Sequence, residues 1–303
     1  MNIYDDEVRE IKEAWDPEFF VLWNLGNQCT YKCSYCPDRF HSGSIPFQST
    51  ENIQNFLKKL PKSHVMFTGG EATFHYDFEK IVLEKPNHLQ ISVISNASRP
   101  IEFWKRISPN LKSVILTYHT EFAQFNRFLA TADLIFNTCK KSGTINLTMI
   151  PEKWEQCIKV YENLLKANLR VTPKPLLEDF GIKANKVLTA YTPKQLEWIS
   201  LKNQVDGFKS MKVLDKNGNL LYNTNQSELL SSHQTNFNDW LCYTNTQRMY
   251  IEMDGSIHMA TCGQRIKIGT IYDDIHNIPT DPFICKQNFC WCHSDILPRK
   301  VKL

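Results

Sequence analysis

The stretch "CTYKCSYCP" (residues 29–37) carries Cys29, Cys33 and Cys36, and the next cysteine is Cys139. Three close thiols without a near fourth narrow what the segment can hold. A structural zinc site takes four protein ligands, usually as two close pairs. Cys290 and Cys292 could supply the second pair, but only at long range. A thioredoxin-like dithiol would use Cys33 and Cys36, leave Cys29 surplus, and lack thioredoxin-like surroundings. A [4Fe–4S] cluster fits better, because thiolates hold such clusters and three of them leave one iron open.

Composition limits the setting. The 303 residues are 42% hydrophobic, enough for one large or two modest cores. A net charge of +3 and a pI near 8.2 single out neither nucleic acid nor an anionic membrane. The basic end "PRKVKL" reads as a solvated tail. The acidic start "MNIYDDEVREIKEAW" has no signal-peptide core, and no apolar run is long enough to span a membrane, so a cytoplasmic protein is expected. In a reducing compartment ten cysteines point to metal sites or catalysis rather than disulfides. Eight fall into two groups, 29/33/36 and 242/262/285/290/292, while Cys139 and Cys157 read as ordinary buried thiols.

From residue 19 to about 176, short β-rich runs alternate with helix candidates. The runs are "FFVLWNLG", "HVMFTGG", "LQISVISN", "LKSVILTYH", "TINLTMI" and "LRVTPKPL"; "STENIQNFLKKL" and "EKWEQCIKVYENLLKAN" are helices between them. That alternation predicts an α/β fold, a partial (β/α)6 TIM-like barrel with chemistry at the strand ends. The cysteine triad, "GGE" (69–71), "SNAS" (95–98) and "TYHTE" (117–121) all follow strands in this way. After residue 177 the rhythm changes to hairpins around Asn-Gly in "VLDKNGNLLYN" and Asp-Gly in "MYIEMDGSIHMATC". Between them "YTPKQLEWI" is a helix with Thr192 as a cap. The expected division is a core at 1–180 and a C-terminal extension at 181–303.

The Cys-x3-Cys-x2-Cys spacing, with Tyr35 before the third cysteine and Gly69-Gly70-Glu71 after the next strand, resembles the radical S-adenosylmethionine (SAM) enzymes over about residues 18–176. The resemblance implies that Cys29, Cys33 and Cys36 hold a [4Fe–4S] cluster whose open iron chelates SAM. Reduction would cleave SAM to methionine and a 5′-deoxyadenosyl radical. It further implies that Gly69 and Gly70 let the backbone approach the methionine moiety, and that Glu71 accepts from its ammonium group. Tyr35 would touch adenine, and Ser95 and Asn96 the ribose or carboxylate. Thr117 and His119 point the same way, though His119 reads equally as a structural histidine.

The second cysteine group, with its hairpin and "IGTIYDD" (268–274), resembles the auxiliary-cluster modules called SPASM in the long form and twitch in the short. Five cysteines allow one auxiliary [4Fe–4S] cluster, with Cys242, Cys262, Cys290 and Cys292 as ligands and Cys285 spare; zinc is the alternative there. The expected activity is oxidation or rearrangement of a small molecule, such as a sugar, nucleoside or amino-acid-like compound. The alternative is cross-linking or epimerisation of a ribosomal peptide. Peptide modifiers often carry a leader-binding domain before the cluster motif, and only 28 residues precede Cys29. An electron donor such as flavodoxin or ferredoxin is implied, and nucleic acid is not an expected partner. A zinc-binding interaction module is the non-enzyme reading; it leaves "GGE" and the strand-end clustering unexplained.

Overall fold

The computed structural model describes residues 2–14, 19–178, 187–205, 210–262, 266–273, 278–290 and 292–303. Asp274 of "IGTIYDD" lies outside them. A short strand β1 (Glu10–Glu13) precedes six strands that alternate with helices: β2 (Phe19–Asn24), β3 (Ser63–Thr68), β4 (Leu89–Ser95), β5 (Leu111–Tyr118), β6 (Ser142–Met149) and β7 (Val171–Pro175). The crossovers carry α1 (Thr50–Lys59), α2 (Phe78–Leu83), α3 (Ile101–Ile107), α4 (Phe125–Ala132) and α5 (Trp154–Lys166). Strands β2 to β7 pair in parallel in chain order, as expected of an α/β fold. Ser49 caps α1 by accepting from the Asn52 N–H at 3.2 Å.

Alternation along these strands separates two faces. Val21 and Trp23, Val65 and Phe67, Ile91 and Val93, Val114 and Leu116, and Ile145 and Leu147 join a fully buried core. Ile53, Phe56, Ile81, Trp104 and Leu164 meet them there from the helices. The opposite positions, among them Asn24, Thr68, Thr117, Asn146 and Lys174, line a cavity. β7 contains Pro173 and Pro175, which it tolerates because it is the edge strand.

The rest of the chain forms α6 (Pro193–Val205) and strands β8 (Met211–Leu214), β9 (Leu220–Thr224), β10 (Trp240–Cys242), β11 (Arg248–Ile251), β12 (Ser256–Met259), β13 (Ile266–Thr270), β14 (Phe283–Ile284) and β15 (Lys300–Lys302). Thr192 caps α6 reciprocally with Gln195, at 3.3 and 2.8 Å. Both expected hairpins form, with Gly218 and Gly255 at positive φ in their turns.

Strand pairing cuts across the expected boundary at residue 180. The nine-stranded sheet runs β13-β12-β11-β2-β3-β4-β5-β6-β7, and β11 lies parallel to β2. The second hairpin therefore extends the core sheet. The other sheet runs β14-β10-β15-β1-β8-β9, so residues 10–13 belong with the C-terminal strands. The basic end is likewise not a solvated tail. Lys300 is 1% exposed and donates to the carbonyls of Asp295, Ile296 and Pro298. Cys157 is buried as expected, whereas Cys139 is only half-buried. No described helix is long and apolar enough to cross a membrane.

Candidate active site

A cavity of about 440 Å³ opens at the C-terminal ends of the parallel strands. Cys29, Cys33, Cys36, Tyr35, Gly69, Gly70, Glu71, Ser95, Asn96, Thr117 and His119 all line it. The loops that follow β2, β3, β4 and β5 thus deliver their unusual residues to one place.

The cysteine loop is held by its neighbours. A turn brings the Cys36 N–H to the Cys33 carbonyl at 3.0 Å. Glu121 accepts from the Ser34 N–H at 2.7 Å and its hydroxyl at 2.5 Å. The Tyr35 hydroxyl lies 2.6 Å from His119 Nδ1, and the two rings stack at 15°. Burial pushes the Cys33 thiol up to about 12 and Cys36 to about 11, and it raises Cys29 as well. Thiols so disfavoured as anions become thiolates only when a bound cationic centre compensates them. Burial lowers His119 to about 4, which keeps its ring neutral at ordinary pH.

The two glycines have a packing reason beyond the one the sequence suggests. A Cβ on Gly70 would stand 2.5 Å from the Gln28 carbonyl oxygen, and one on Gly69 would stand 2.6 Å from that of Gly26. Gly69 also has φ of +141°, which favours glycine. The Gly70 and Glu71 N–H groups donate to Gly26 and Gln28 at 2.9 and 2.8 Å. "GGE" thereby docks the end of β3 against the loop leading into the cysteines.

Glu71 is also bound within the chain. The carboxylate is 1% exposed and accepts from Thr73 N–H (3.1 Å), Thr73 hydroxyl (2.5 Å), Ser95 hydroxyl (2.8 Å) and Asn96 N–H (2.6 Å). Oε1 takes three of these bonds and Oε2 one, which leaves an acceptor position on Oε2. Asn96 in turn donates to the Thr30 hydroxyl at 3.1 Å, which ties β4 to the cysteine loop. Glu71→Ala is expected to leave these buried donors unpaired and to cost about 1–3 kcal/mol of stability, read as a lower urea midpoint of the metal-free protein. An unchanged midpoint would remove this clamp role.

Several wall residues carried no sequence signal of function: Asn24, Asn146, Thr148 and Lys174. Their signal was positional, since each is polar at an inward step of a strand. Asn24 Oδ1 is buried and lacks a hydrogen-bond partner. Three thiols and a neutral imidazole in one cavity suit an iron–sulfur cluster. Among the described residues no three His, Cys, Asp or Glu side chains gather closely enough for a single metal ion.

Part of the second cysteine group lies in the core of the smaller sheet. Cys242, Cys285 and Cys290 are buried there with Trp240 and Phe237. Cys292 lies against Cys290 and Asp295, with its sulfur 2.9 Å from the Ser294 hydroxyl. Cys262 follows Thr261, whose N–H and hydroxyl donate to Asp295 at 3.0 and 2.7 Å. Cys285 is buried in the same core as Cys242 and Cys290.

Residues 23–172 match the model of the Radical SAM superfamily. Native anSMEcpe with bound AdoMet aligns over 84% of this chain and 78% of its own, with 18% identity and a TM-score of 0.56. The same protein with AdoMet and the Cp18Cys peptide gives 0.55 at the same identity and coverage. Streptococcus suis SuiB aligns over 85% and 64%, with 15% identity and a TM-score of 0.57. No curated protein matches the chain by sequence.

Proposed function

Residues 23–172 are a radical SAM domain and the chain is an iron–sulfur SAM enzyme; on that premise we propose that it oxidises a small molecule by two electrons. The observation that carries the reading is the single cavity joining Cys29, Cys33 and Cys36 to a polar wall from Thr117 to Lys174. Cys29, Cys33 and Cys36 would hold a [4Fe–4S] cluster, which when bound would supply the electron for reductive cleavage of SAM to methionine and a 5′-deoxyadenosyl radical able to take hydrogen from a substrate.

The chain's own residues prepare that event. Glu121 and His119 fix the cysteine loop through Ser34 and Tyr35. Glu71, with Asn96 and Thr30, holds the strand ends against it. Ile94, Leu176 and Leu177 give the cavity apolar wall that excludes water from a radical. The second cysteine group would take up the remaining electron. Cys242, Cys262, Cys290 and Cys292 would hold an auxiliary cluster, with Cys285 next to Cys242 as the alternative ligand. Lys300, buried among them, offsets the negative charge of thiolates.

Peptide modification is the second reading. The structures similar to this one include anSMEcpe with a bound peptide. Product mass decides between oxidation and the redox-neutral rivals. The expected product of the reconstituted enzyme is lighter than its substrate by two hydrogens. A product of unchanged mass would rule the oxidation out.

A further inference from the structure

The cavity wall opposite the cysteines raises a question of charge. On the inward steps of β5, β6 and β7 stand Thr117, Asn146, Thr148 and Lys174, with Thr148 directly across the strand pair from Lys174. Thr148 is engaged by the Tyr35 hydroxyl. Lys174 has no hydrogen-bond or ion-pair partner among the described residues, and neither has the Asn146 side chain. Burial alone acts on the Lys174 ammonium and lowers its pKa, with no carboxylate to offset it. Glu71, the acidic residue in the described wall, accepts from four internal donors.

Lys174 is half-buried, and its ammonium opens to the cavity without a counter-charge among the described residues. The bland account is a stem packed on Pro175 and Leu176 with its head reaching solvent. That account leaves unexplained why the cation takes an inward step of the strand, in the cavity shared with the cysteines, beside an uncommitted amide. Asn146 lies diagonally across the β6–β7 pair, so one small group can meet both side chains.

We propose that Lys174 anchors the substrate: its ammonium pairs with a carboxylate or phosphate on the molecule that donates hydrogen, and the Asn146 amide supports the same group. The substrate is then an organic acid or a phosphorylated compound, not a neutral sugar or free base. This rests on the radical SAM reading of the cavity. SAM also bears a carboxylate, and the SAM-affinity arm of the test below separates the two partners.

The test uses reconstituted wild-type, Lys174→Met and Lys174→Arg enzymes. A deuterated metabolite extract is split on a strong anion exchanger, and deuterium is followed into 5′-deoxyadenosine. Wild-type enzyme is expected to take deuterium from the retained fraction and not from the flow-through. Lys174→Met should lower that transfer more than about tenfold, Lys174→Arg should recover part of it, and both should bind SAM as tightly as wild type. Deuterium from the flow-through, or from neither fraction, overturns the anchor without reference to any variant. So does a Lys174→Met enzyme that transfers normally. If Lys174→Met loses SAM affinity, the cation serves the SAM carboxylate and the substrate assignment fails. A wild-type enzyme that leaves SAM intact before any extract is added is a separate failure, which removes the enzyme reading and the anchor with it.

Discussion

Cys33→Ala is expected to bring 5′-deoxyadenosine formation down to the background of protein-free controls. Cys33 is the most buried thiol of the triad, at 5% exposure, and its sulfur faces His119 across 3.6 Å. Losing one of three thiolate ligands leaves two, and the nearest ring nitrogen, His119 Nδ1, is held by the Tyr35 hydroxyl. Ser34 is clamped to Glu121 through both its N–H and its hydroxyl, and Tyr35 is held against His119. Cys157→Ala is the control, because that thiol is wholly buried behind the sheet and contacts Thr120 rather than the cavity. Liquid chromatography of anaerobic reactions with SAM and dithionite reads both variants. Near-normal cleavage by Cys33→Ala would show that the triad is not the cluster site.

The double change Cys290→Ala, Cys292→Ala is expected to stop product formation while SAM is still cleaved. The reconstituted wild type should carry about eight irons per chain and the double variant about four. Cys290 packs in the smaller core with Cys292 two residues on, and neither lines the cavity that holds Cys29, Cys33 and Cys36. The first group should therefore load normally. Iron and zinc analysis beside product assays separates the possibilities. A wild-type protein that saturates near four irons, with zinc making up the rest, would end the auxiliary-cluster proposal and leave the radical SAM domain untouched.

What was legible in the sequence was local. Strand and helix periods across 19–176 were sufficient to order β2 to β7, because each βα unit follows its neighbour in the chain. The residues after β2 to β5 reached one cavity for the same reason, since parallel strands put equivalent ends on one side. Long-range pairing was not legible. Nothing in "EIKE" marks it as a partner of both β8 and β15, and nothing in "RMYI" announces a parallel ladder with Phe20 to Trp23. "PRKVKL" looks soluble because three of its residues are basic, yet Lys300 lies buried over the Phe237 ring at 4.9 Å. Glu71 shows a different limit. The motif identified the residue, while its partners Thr73, Ser95 and Asn96 set what its carboxylate does. Asn146, Thr148 and Lys174 carry no motif at all. Reading "TINLTMI" and "LRVTPKPL" at period two places them on the face away from the helices.

The cavity beneath Cys29, Cys33 and Cys36 is expected to cleave SAM reductively. Anaerobic protein reconstituted with iron and sulfide, mixed with SAM and sampled with and without dithionite, tests it most directly. The prediction is methionine and 5′-deoxyadenosine in equal amounts, formed only when dithionite is present. Iron-loaded protein that binds SAM and leaves it intact under dithionite would contradict the claim.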